Sequence, residues 1–108
     1  MASILVVHGQ PSVSAVFAEM LRRDGHEISV AACLPEAKEA LQSCRCGIVV
    51  TEMRIQSDED GLDLLRHVKV TASEIEVIIV TGFSSSAGAV AEAMREGAYQ
   101  YFTAADRH

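Results

Sequence analysis

Short runs rich in β-branched residues alternate with segments of helical spacing along the whole chain, and this alternation constrains the fold more than any other feature. ILVV at 4–7, ISVA at 28–31, IVV at 48–50 and VIIV at 77–80 are nearly continuous apolar runs, the second interrupted by Ser29. Strands buried on both faces of a parallel sheet read this way. AYQYFT at 98–103 reads as a fifth strand. Between the runs, Val13, Val16, Phe17, Met20 and Leu21 fall on one helical face, and Gly25 follows where a glycine would end the helix. Ala37, Ala40 and Leu41 mark a second helix, entered through Pro35, and Leu62, Leu65 and Val68 a third beginning near Gly61. Val90, Ala91, Met94 and Ala98 mark a fourth. FSSSAG at 83–88 reads as a loop with serine caps.

The order β-α-β-α-β-α-β-α-β predicts an α/β fold with a parallel sheet and right-handed crossovers, in one domain over 1–108. Open sheets of this kind bind ligands at the carboxyl ends of their strands. The residues that matter are therefore the strand tips: His8, Gly9 and Gln10, then Thr51 and Glu52, Thr81 and Gly82, and Thr103 and Ala104.

Composition narrows the function. The chain has 108 residues and a formal charge of −6, with its acids concentrated in EMRIQSDEDGLD at 52–63. The acids of that run are expected to be mostly solvated or to favour the positive end of a helix dipole. Nucleic-acid binding needs clustered basic residues that displace counterions, and Arg22-Arg23 is the one adjacent basic pair, so no direct nucleic-acid contact is expected. No apolar stretch approaches the roughly 20 residues that cross a bilayer, and no basic flank precedes the first apolar run. A cytoplasmic location and no membrane contact are expected. Cys33, Cys44 and Cys46 form no CxxC motif and read as thiols in a reducing compartment.

ILVV with PSV and LRRDGHEISVA, GIVVTEMR, DGLDLLRHVK, VIIVTG and AVAEAMREGAYQYFT occur in an order and at a spacing that resemble the receiver domains of bacterial two-component response regulators. The texture is most similar to receivers attached to transcription activators, and the likeness runs from residue 4 to about 104. It implies a flavodoxin-like, doubly wound five-stranded sheet of order 2-1-3-4-5. It also implies a last helix after the fifth strand, for which a sequence stopping at His108 leaves too little length, so that helix is expected to be missing or truncated. Apolar surface near Val6, Val16 and Tyr101 would then lose its cover, and a dimer or larger homo-oligomer is expected.

The resemblance further implies an acidic pair after the first strand that holds Mg²⁺, and an aspartate after the third that accepts a phosphoryl group from a sensor kinase. A hydroxyl after the fourth strand, a lysine after the fifth and a switching aromatic complete the family pattern. Such a transfer depends on positioning and on cations that neutralise charge. In this sequence the acidic-pair positions fall on His8 and Gly9, the phosphoacceptor position on Glu52 and the lysine position on Ala104. Thr81 and Tyr101 match the switch positions. The loop after Glu52 runs one residue longer than is common, with Gln56 where a proline is frequent.

A degenerate receiver is therefore expected, with no catalytic residue, no metal site, no cofactor and Mg²⁺ binding weak or absent. It would act by phosphorylation-independent contact with a protein partner or output domain, a sensor kinase among the candidates. A phosphoaccepting receiver is the alternative, and a small flavodoxin-like enzyme or nucleotide-binding domain a further one. Glu52 has two readings. Its carboxylate reaches about 1.5 Å further than an aspartate's and could stand in for a phosphoryl group against Thr81, or it could be a solvated acid at a disused site. His8 is expected to lie beside Glu52 as a hydrogen-bond partner.

Overall fold

In the computed structural model, which describes residues 2–43, 45–81 and 87–103, every apolar run is a strand. The elements are β1 (Ser3–Val7), α1 (Pro11–Arg23), β2 (Glu27–Ala31), α2 (Leu34–Ser43), β3 (Ile48–Glu52), α3 (Asp60–Thr71), β4 (Glu76–Thr81), α4 (Ala87–Arg95) and β5 (Gln100–Thr103). The sheet is parallel throughout, in the order β2-β1-β3-β4-β5. Its register sets Val6 against Val30 and Val50, and Thr51 against Ile79. No described helix is long and apolar enough to cross a membrane. The expected loss of a last helix falls on 104–108, and the serine-rich loop on 82–86, both outside the described residues.

Side chains alternate across the sheet, so each strand serves two layers. Leu5, Val7, Val49, Val77 and Ile79 point into one core together with Ala37 of α2, Leu62, Leu64, Leu65 and Val68 of α3, and Ala93 of α4. Ile4 and Val6 face the other way, where α1 packs over β1 and β2. The α1 residues that are fully buried are the small ones, Ser14 and Ala18, because small side chains let the helix approach the sheet closely.

This arrangement corrects three expectations. The apolar stripe of α1 is only partly a core face: Val16 and Met20 are each 58% exposed. On α4 the fully buried residue is Ala93, and Met94 and Ala91 face outward. Of the three residues expected to lose their cover, Val16 alone is open. Val6 is buried under α1, and Tyr101 is partly buried against the core of the opposite layer. The exposed aromatic of β5 is its neighbour Phe102, at 51%. Phe102 pairs with Val80, two residues along the strand from Ile78, so alternation groups these three on the side of α1. Ile78, Val80 and Val50 are only partly buried.

The helices α3 and α4 are also held across their outer sides. Arg66 donates to both carboxylate oxygens of Glu96 at 2.7–2.9 Å, with Glu92 and Asp63 close by. The guanidinium hydrogen bond holds the Glu96 carboxyl down at about 2. Cys46 is buried and Cys33 partly so.

Candidate functional site

Parallel strands end together, so the tips of β1 and β3 lie side by side, in the register Val7 to Thr51. The ladder continues one residue past β1, where the His8 amide donates to the Ala31 carbonyl (3.1 Å). The imidazole is therefore held at the sheet's edge beside Glu52, with Nε2 3.6 Å from Glu52 Oε2. That distance is a polar contact rather than the expected hydrogen bond, which needs about 3.2 Å or less. His8 Nδ1 accepts the Gln10 amide at 3.0 Å. The neutral ring must then carry its proton on Nε2, facing the carboxylate.

Glu52 is buried, 7% exposed, and its Oε1 accepts the Met53 amide at 3.0 Å. The reading of Glu52 as a solvated acid is thus corrected: burial is tolerated because the carboxylate has an amide donor and an imidazole as neighbours. Thr51 and Thr81 are buried at 1% and 2%. The lysine position, Ala104, lies outside the described residues, as does Gly82.

Two features of the site were not singled out in the sequence. One is Asp60, read there as one of the mostly solvated acids. It is 9% exposed, and its Oδ2 accepts the amides of Gln56 and Ser57, each at 2.8 Å. An aspartate at the mouth of a helix, three and four residues after two loop amides, is the available signal. The other is the crowding of Gly9. A Cβ there would stand 2.6 Å from the Ile55 carbonyl oxygen, so the loop after β3 lies directly on the main chain of position 9. That contact is long-range, and no local pattern announces it.

The donor set does not suit a magnesium ion. Mg²⁺ requires oxygen ligands in a near-octahedral array. Here the tip of β1 offers an imidazole and a glycine, and Glu52 supplies the one carboxylate at the tip of β3. Among the described residues no group of three or more His, Cys, Asp or Glu side chains is placed to hold a metal ion.

The fold and the position of these residues define a class: a doubly wound α/β domain whose functional edge is the carboxyl end of β1, β3 and β4. Residues 4–104 match the response regulator receiver domain family, and the chain belongs to that family. It is 32% identical over 91% of its length to the alginate biosynthesis transcriptional regulatory protein AlgB of Pseudomonas aeruginosa, covering 21% of that protein. It is 28% identical over 91% of its length to the nitrogen assimilation regulatory protein NtrX of Azorhizobium caulinodans, covering 22%. The chain thus spans about a fifth of the length of these curated relatives. Among solved structures, it superposes on a response regulator receiver domain protein from Clostridium thermocellum with a TM-score of 0.86 and 28% identity, covering 96% of this chain and 82% of that one. NtrX from Brucella abortus gives 0.85 and 29%, over 95% of this chain and 23% of that one. The chain is a receiver domain of the two-component type, and receivers are regulatory domains.

Proposed function

We propose that this receiver works without a phosphoryl group, as a pseudo-receiver that regulates by contact with a protein partner or an output domain. The observation that carries this is the pairing at the strand tips, where His8 stands against Glu52 at 3.6 Å and Gly9 lies under the Ile55 carbonyl. Glu52 takes the phosphoacceptor position, His8 and Gly9 the acidic-pair positions, Ala104 the lysine position, and Thr81 and Tyr101 the switch positions. A carboxylate attacking an anionic phosphoryl group needs cationic support from a bound metal ion, and an imidazole with one carboxylate is a poor donor set for holding one. On this reading the domain has no enzymatic activity of its own, binds no nucleic acid directly and resides in the cytoplasm. A sensor kinase is among its partners only if it is recognised by surface rather than by phosphotransfer.

Intact mass after incubation with Mg²⁺ and acetyl phosphate, beside a receiver with a complete acidic pair, tests this. No mass gain is expected while the control is labelled. A stoichiometric phosphoryl adduct would overturn the reading in favour of a phosphoaccepting receiver.

The same reading includes self-association. Val16 and Met20 of α1 and Phe102 of β5 are more than half exposed, and Val80 and Ile78 beside Phe102 are only partly buried. Parallel sheets are ordinarily covered on both faces, and an apolar face of this kind drives association. Light scattering of this 108-residue chain is expected to give at least the dimer mass. A monomer mass that does not change with concentration would count against it.

A further inference from the structure

The segment between β3 and α3 is fastened at both ends and in its middle. At its start the Met53 amide donates to Glu52 Oε1 (3.0 Å), and the Met53 carbonyl accepts the Gly61 amide at 2.7 Å. Toward its end the buried Asp60 carboxylate gathers the amides of Gln56 and Ser57. Between these anchors the Ile55 carbonyl lies so close to position 9 that a Cβ there would be 2.6 Å from its oxygen. The atom in the way is main chain, which cannot swing aside as a side-chain tip does. On the outer side, exposed Arg54 pairs with Asp58 at 3.2 Å.

We infer that residues 53–60 form a built-in plug, seated on Gly9 and anchored by Asp60, and that this plug bars a hydrated divalent cation from the strand tips independently of the missing carboxylates. The inference rests on the pseudo-receiver reading and extends it from side chains to the main chain. A carboxylate at position 9 needs a Cβ where the Ile55 carbonyl now lies, so restoring the acids requires the segment to lift. Lifting it breaks the two amide contacts that Asp60 makes. Gly9 and Asp60 are therefore the positioning residues that decide what the site admits, although neither has chemistry to offer a ligand while the plug is seated. His8 stays beside Glu52 underneath.

The seating can be read by trypsin, because the Arg54–Ile55 bond lies at the point of contact. Cleavage that requires local opening follows the population of the open form. G9A and D60A are each expected to raise the rate of cleavage after Arg54 by about tenfold, with cleavage after Arg22 and Arg23 in α1 reporting any global unfolding. The control is G47A, where a Cβ meets nothing within 4 Å, and it should be cut like the wild type. A second arm measures Mn²⁺ binding by electron paramagnetic resonance. H8D/G9D/E52D is expected to bind Mn²⁺ at least about tenfold more weakly than the same protein carrying D60A as well, since D60A removes the two amide contacts that the carboxylate at position 9 must otherwise break. Wild-type cleavage rates in G9A, or full Mn²⁺ affinity in the triple variant with no gain from D60A, would overturn the plug. Labelling of the wild type by acetyl phosphate would instead remove the pseudo-receiver reading, so the two failures are read on different proteins.

Discussion

Replacing Leu65 with alanine is expected to cost about 2–5 kcal/mol, the largest effect of any single truncation considered for this domain. Leu65 is 0% exposed and lies on α3 in the core that also receives Leu5, Val49, Val77 and Ile79 from the sheet. Deleting most of its side chain removes transfer free energy and leaves a cavity that the surrounding strands cannot collapse into without losing register. Each kcal/mol lowers the melting temperature of a chain this size by roughly 4–8 °C. Urea unfolding measures it directly: the midpoint should fall while the slope stays the same. A loss well below about 1 kcal/mol would mean that α3 is not packed as described.

The second large effect is expected at Gly61, in the first turn of α3. A Cβ there would stand 2.7 Å from the Glu52 carbonyl oxygen and 2.7 Å from the Met53 Cα. Both are main-chain atoms at the end of β3, so Gly61→Ala must push the helix away from the strand. Overpacking of this kind costs about 1–3 kcal/mol, and alanine's better helix propensity returns about 1 kcal/mol at most. Net destabilisation in thermal unfolding is the expected result. The displacement should also disturb the Met53 amide, which donates to the Glu52 carboxylate. Faster hydrogen exchange at Met53 than in the wild type checks that link. A variant as stable as the wild type, with Met53 equally protected, would show that the close approach of α3 to β3 does not hold in solution.

Much of this domain was legible along the chain because the information is local. The β-branched runs at 4–7, 48–50 and 77–80 became β1, β3 and β4 with shifts of one or two residues at their ends. Leu62, Leu65 and Val68 face the core as their spacing requires, and the family pattern carried the strand order. The neighbourhood of His8 and Glu52 followed from the rule that parallel strands present their carboxyl ends on one edge.

The tertiary structure alone decided which apolar faces are covered and which acids are buried. Val13, Val16, Phe17, Met20 and Leu21 share one helical face, yet Val16 and Met20 stay open, because coverage depends on what lies across the sheet rather than on spacing along the helix. Asp60 and Asp58 are both acids of one run, and only the first is buried on loop amides. Gly9 looks like any loop glycine until a carbonyl 46 residues later is laid against it. Periodicity and composition report what a residue prefers; the distance between two backbones that meet far apart in the chain is set only when the sheet and its helices close together, and here that distance determines what the strand tips can hold.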